Sequence, residues 1–529
     1  MSKIIKLTLL TALVVLLPNT ALKAQQRDTV PMPTMNIDSV MKHIIELASD
    51  TYEGRLAGSQ GHERAMRYAE RVLARYGVQP VKEEYGRRHA DREKPWREPF
   101  NLECNEVENA KFNVYKVVRD QQGANAFMDR KEKRVFTLGN EFCCVGMTGR
   151  GYVDAQMVFC GYGIDNSLFN EYRYVDVQGK IAVVLTGLPE GHTLPERVAA
   201  LYASLRDKAR TAERHGAIGI LFINTSRTCE SWEPQGRVYC GELPHMPTFP
   251  MLQLTLDCGR EIMHGEHLEL DSAMAALAAG QISSFALLRK AEIDINARYR
   301  PQAPTANIVG ILEGSDPRLK NELVVVGASI DGLGMQGETC LFPSADINAS
   351  GVAAVLETAR LLSNPDYRPK RSVAFVLFSG SEQQYLGSRQ FVADFPKLRQ
   401  VEAFVGAQNL GSGDSIVVLG GGRFPSLYDL AWNRDTAHYR QNIVHDGKKS
   451  LARGDARAFE AIGVPSLMFT THNGMHHNHV TTDMWENIDT RILGIATTLI
   501  VETVCEIGEG LYQGRSPQSR ALRQDIYKD

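Results

Sequence analysis

Residues 322–362 read ELVVVGASIDGLGMQGETCLFPSADINASGVAAVLETARLL. An apolar run from Leu323 to Ala328 gives way to a polar, glycine-rich segment. A stretch follows in which Val352, Val355, Leu356, Ala359 and Leu362 recur at helical spacing. The run is continuous rather than alternating, which predicts a strand covered on both faces. The same unit returns downstream as SVAFVLFSG (372–380), GSRQFVADF (387–395) and AFVGAQNLG (403–411). Buried strands alternating with amphipathic helices predict an α/β protein, a three-layer α/β/α sandwich around a mixed, largely parallel sheet. Ligand sites in such sheets lie beyond the carboxyl ends of the strands, so the polar residues after each run are the candidates for function.

Working outward, IDSVMKHIIELASD (37–50) and SQGHERAMRYAERVLARYG (59–77) have helical periodicity, with Gly77 ending the second helix and a glycine-rich connector, DTYEGRLAGSQG (50–61), between them. From 80 to about 145 the chain is polar. Its charge-rich stretches, GRRHADREKPWREP (86–99) and DRKEKR (129–134), interleave acids with bases and are read as solvated loop rather than a nucleic-acid surface. Between 150 and 285 a separate mixed α/β module is expected, with strands in AQMVFCGYGI, GKIAVVLTG, AIGILFIN and FPMLQLT and a helix in LYASLRDKARTAERHG. The expected organisation is therefore 1–24 signal peptide, 25–149 N-terminal helices and strands of the main domain, 150–285 insert, 286–510 remainder of the main domain, and 511–529 tail.

The chain's 529 residues suit two or three domains. At 43% hydrophobic, 23% charged and a net charge of −3, the composition is that of a soluble globular protein and argues against nucleic acid or an anionic membrane as partner. Lys3 and Lys6, the apolar run Leu7–Leu17 and a cleavage site ending at Ala24 mark an export signal. The run is too short to span a membrane, and no later segment replaces it. The expectation is an exported protein, periplasmic or secreted, with no integral membrane segment. Its nine cysteines cannot all pair. Cys229 and Cys240 flank a short polar loop and are the expected disulfide, whereas Cys143 and Cys144 are expected to be small buried side chains.

Four segments that follow strands supply titratable side chains: Asp331, Asp346, Glu382, and His479 with its neighbours His472, His476 and His477. Carboxylates and histidines converging at strand ends suit zinc. Acids capping helices and a solvated histidine loop account for the same pattern equally well.

LASDTYEGRLAGSQG, VVVGASIDGLG, SADINASGVAAVLETARLL, RSVAFVLFSGSEQQYLGSRQF, GDARAFEAIGVPSLMFT and HVTTDMWENID occur in an order and spacing that resembles the di-zinc exopeptidases of metallopeptidase family 28, the bacterial leucyl-aminopeptidase-like group. The 150–285 insert resembles a protease-associated domain. This resemblance implies a site whose first-zinc ligands fall at Ser329, Ile347 and Gln408, the bridging carboxylate being at 347. The general base falls at Ser381, and the second-zinc ligands at Glu382 and His479. Asp331 stands as a retained supporting residue, with Asp346, Asp455, His476 and His477 as alternative ligands. Only Glu382 and His479 keep ligand chemistry, one short of the usual catalytic zinc. Serine in place of a general-base glutamate by itself costs roughly 10²- to 10⁴-fold.

The leading expectation is a pseudopeptidase, a binding or accessory protein without cofactor that engages an unidentified protein or peptide, with Tyr385 and Trp485 available to line a groove. The alternative is an exopeptidase with one zinc at most, held by Glu382, His479, Asp346 and one of His476 or His477, releasing N-terminal amino acids. Ser329 or Ser381 acting as nucleophile is a third possibility, for which no base motif is evident. The oligomeric state is left open.

Overall fold

The computed structural model describes residues 34–81, 95–121, 127–167, 169–189, 191, 195–225, 232, 244–395, 398–438, 442–474, 479–512 and 514. The expected signal segment, Cys229, Cys240, His476, His477 and nearly all of the C-terminal tail lie outside these residues.

The strand Leu323–Ser329 sits at the centre of the C-terminal half, parallel to Ser372–Phe378 on one side and to Val401–Ala407 on the other. Val401–Ala407 pairs in parallel with Ser466–His472, and Ser415–Leu419 closes that edge antiparallel. Burial follows the period of the strand, since successive side chains point to opposite faces. Val324, Val326, Val373, Phe375 and Leu377 enter one core with the helices Ile37–Leu47, Gln60–Arg75, Gly351–Leu362 and Thr490–Gly508. Leu323, Val325, Ala374, Val376 and Phe378 enter a second core with Phe391, Phe404 and Phe459. Both faces are therefore dry, as the unbroken apolar runs predict. The helix Gly351–Leu362 is buried on every side, Arg360 alone being partly exposed.

The N-terminal half is built on Gly151–Cys160, which runs parallel to Ile181–Leu185; Gly219–Ile223 and then Met251–Leu254 extend the parallel order, and Phe142–Cys144 pairs antiparallel at the end. One long strand, Ser284–Leu312, joins the halves: its first part pairs with Gly151–Cys160 and its last part with Ser372–Phe378. The expected boundary at 285/286 falls within this strand.

The reading of the charge-rich stretches GRRHADREKPWREP and DRKEKR as solvated loop does not hold where the structure describes them. Arg97–Gln121 is a strand lying antiparallel along Ser284–Leu312, and DRKEKR lies in the strand Phe127–Val135 paired to it. The charges are compatible with a strand because acids on neighbouring elements meet them. Lys133 pairs with Glu292, Lys131 lies 3.6 Å from both Asp154 and Glu292, and Arg134 lies 2.8 Å from Glu261.

Candidate functional site

The candidate residues gather beyond the carboxyl ends of the parallel strands. Ser344 adopts a left-handed φ of 56°, the segment Ala345–Ser350 makes a wide, π-type turn broken by non-helical backbone at Ile347 and a cis peptide bond between Ile347 and Asn348, and the helix Gly351–Leu362 follows directly. Two side chains fix this loop from beneath. Arg55, fully buried, donates to the carbonyls of Ile330 at 3.2 Å, Pro343 at 3.1 Å and Ser344 at 2.7 Å, and also to that of Leu47. Asp483 accepts from the backbone amides of Asp346 at 2.8 Å and Ile347 at 3.1 Å.

Asp346 is directed into the neighbouring loop. Its Oδ1 accepts from the Gly411 amide at 2.7 Å and the Ser350 hydroxyl at 3.0 Å, and its Oδ2 from the Ser412 hydroxyl. Both carboxylate oxygens thus serve to dock one loop on another. Ile347 is buried beside it, an apolar branched side chain.

A buried polar cluster brings together Ser329, Asp331, Asn348, Ser381 and Asp455. Ser329, the last residue of the central strand, donates to Asp455 Oδ2 at 2.8 Å. Asp331 Oδ2 accepts from the Ser381 amide at 2.9 Å and hydroxyl at 3.0 Å, and that hydroxyl accepts from Asn348 Nδ2 at 3.2 Å. Asn348 Nδ2 also donates to the Asp331 carbonyl at 2.9 Å, closing the network. Glu382 and His479 form a separate pair, with His479 Nε2 3.3 Å from Glu382 Oε1 and both side chains mostly buried. Gln408 bonds to the Tyr385 hydroxyl.

Burial controls the protonation of this site. It pushes Asp331 up to about 7, with the Glu382 and Asp455 charges adding and the Ser381 hydrogen bonds opposing. Asp455 rises to about 6 through burial, opposed by Ser329 and Ser388. Asp483 rises to about 7, again through burial first and the Asp346 charge second. All three carboxyls thus release their protons well above the usual range for aspartate.

Among the described residues no group of three or more His, Cys, Asp and Glu side chains is arranged to hold a metal ion. Arg55, Asn348 and Asp483 were not singled out from the sequence. Arg55 lies in the connector read only as glycine-rich, and Asp483 closes the HVTTD motif, so the segments carried the signal but the side-chain roles did not. Trp232 is a further surprise: it comes from the 150–285 segment, donates its amide to the His479 carbonyl at 3.2 Å, and packs with Cys143, Leu333, Cys340 and Phe342.

Residues 307–504, which hold Ser329 through His479, match the model for Peptidase family M28. The chain carries a peptidase family M28 domain. Beyond the M28 domain itself, an aminopeptidase from Aneurinibacillus sp. strain AM-1 superposes with a TM-score of 0.56 at 18% identity, covering 89% of this chain and 94% of that one. A zinc aminopeptidase from Bacillus subtilis gives 0.59 at 16% identity, covering 91% and 97%. The mixed, largely parallel sheet with flanking helices is thus the fold of M28 aminopeptidases. Among curated relatives, a glutamate carboxypeptidase 2 homolog of Caenorhabditis elegans is 22% identical over 311 residues, 49% of this chain and 37% of that protein. Transferrin receptor protein 1 of Gallus gallus is 24% identical over 291 residues, 49% of this chain and 34% of that protein. The stretches of this chain aligned to these curated relatives therefore span little more than a third of the relatives' own length.

Proposed function

We propose that this chain is an exported member of the M28 group that has lost di-zinc aminopeptidase catalysis and acts by binding, its old cleft engaging a peptide or protein. The observation that carries this reading is the pair of hydroxyl–carboxylate bonds, Ser329 to Asp455 and Ser381 to Asp331. At the position where the resemblance expects a zinc-binding histidine, and at the one where it expects the general base, a serine hydroxyl satisfies a buried acid instead. Position 347 adds an apolar side chain and position 408 an amide tied to Tyr385. The donor set does not fit a di-zinc centre: Glu382 and His479 remain, where a catalytic zinc uses three protein ligands and a water. No step is therefore derived through a metal.

Two relatives are named as transferrin receptors, which supports a binding role within the wider group. The protease-associated reading of 150–285 belongs to the same proposal, with Trp232 reaching the His479 loop. Export rests on the N-terminal signal pattern; among the described residues no helix is long and apolar enough to cross a membrane.

A second reading, a single-zinc exopeptidase, is favoured by the proximity of Glu382 and His479. Turnover of aminoacyl p-nitroanilides separates the two. The binding reading predicts that purified protein and its Glu382→Gln variant release chromophore at the same background rate with zinc present. Robust release that the variant abolishes would establish the second reading.

A further inference from the structure

The thiols of Cys143 and Cys340 meet across the junction between the two halves of the fold, and we propose that they close to a disulfide in the exported protein. Cys143 lies in the strand Phe142–Cys144, and Cys340 in a short hairpin whose other arm, Met335–Gln336, pairs Gln336 with Cys340. Gln336 fixes the two elements against each other: its side chain accepts from the Cys144 amide at 2.7 Å and donates to the Cys144 carbonyl at 2.9 Å.

This clamp brings the neighbours of its two anchor points together. Cys143 and Cys340 share one apolar cluster with Trp232, Leu333 and Phe342, and their thiols are in hydrogen-bonding contact. Gly139 marks the meeting point. A Cβ on it would stand 2.9 Å from Cys340 Sγ, and its backbone touches the Cys143 thiol. Neither cysteine is bonded elsewhere, and both are almost wholly buried. Cys144, the chain neighbour, points into a different core with Phe112 and Phe159.

Closure removes two protons and two electrons. One thiolate attacks a small-molecule disulfide or a disulfide-bearing oxidoreductase, expelling one thiol. The second thiolate then displaces the remaining oxidant sulfur from the mixed disulfide, leaving the Cys143–Cys340 bond and both sulfurs of the oxidant reduced to thiols. Because the folded site excludes solvent, the exchange takes place before the cluster is packed, and the finished bond is sheltered from reductants. It ties the hairpin that leads into the 342–350 loop to the other half of the molecule.

The test is peptide mapping of full-length protein folded with oxidised glutathione, with free thiols trapped by N-ethylmaleimide during denaturation. The expected result is a cross-linked peptide pair containing Cys143 and Cys340 that reduction splits. It persists in Cys144→Ser and is lost in Cys340→Ser. Full trapping of both Cys143 and Cys340 in unreduced wild-type protein would overturn the proposal, as would a cross-link from Cys340 to Cys144. The wild-type map decides the matter even if Cys340→Ser fails to fold.

Discussion

Replacing Arg55 with leucine is expected to destabilise the chain by about 3–5 kcal/mol, the range for removing a buried charge whose partners stay behind. Arg55 is wholly enclosed and touches four backbone carbonyls, those of Leu47, Ile330, Pro343 and Ser344. Leucine satisfies none of them, and each buried carbonyl left without a donor costs roughly 1–3 kcal/mol. The damage is directional as well as large. Two of the four carbonyls belong to the residues that turn the chain into Ala345–Ser350, so the loop loses its support before the sheet does. Urea denaturation should give the full loss, and hydrogen exchange should show it first as faster exchange in 343–350. Arg55→Lys, with one donor group in place of a planar fork, should fall between the two. A change below about 1 kcal/mol for Arg55→Leu would mean that the loop is held by other contacts.

The buried carboxyls of the pocket make the second large effect one of pH. Asp331 and Asp483 are raised to about 7 and Asp455 to about 6. An unfolded aspartate releases its proton near 4. Between that value and the folded one, the native state holds a proton that the unfolded chain has lost, so this contribution to stability falls as pH rises. Buried His43 and His62, lowered to about 4 and about 3, work in the opposite sense below about 6.5, because the native state excludes a proton that the unfolded chain accepts. The clean experiment is therefore a comparison. Relative to the parent, Asp331→Asn should become more stable by about 1–3 kcal/mol as pH rises from 5 to 8, since the amide cannot ionise. A difference that stays constant over that range would show that Asp331 is ionised throughout in the folded protein.

The alternation of apolar runs with helical segments made the sheet of the C-terminal half readable, because a strand buried on both faces has few other ways to be written. Val324 and Val325 point to opposite cores, and both are apolar for that reason. The charge-rich arm of the ribbon, Phe127–Val135, was not readable as a strand. DRKEKR has the composition of a loop; it is a strand through its antiparallel pairing with Arg97–Gln121, and Asp154, Glu261 and Glu292, distant in sequence, balance its charges. The same limit applied to the site. Ser329, Ser381 and Glu382 could be placed from strand ends and motif frame. That Asp346 turns toward Gly411 and Ser412, and that Ser329 reaches Asp455, depends on loop geometry that residue order does not express.

The central claim, that the pocket of this M28 domain no longer supports di-zinc chemistry, is tested most directly by metal stoichiometry. The mature protein would be dialysed against zinc, washed free of excess ion and measured by inductively coupled plasma mass spectrometry. Zinc well below one equivalent is the result expected from a donor set reduced to Glu382 and His479. Two tightly held equivalents would contradict the account outright, since Ser329, Ile347 and Gln408 offer no imidazole, thiolate or carboxylate to hold a second ion.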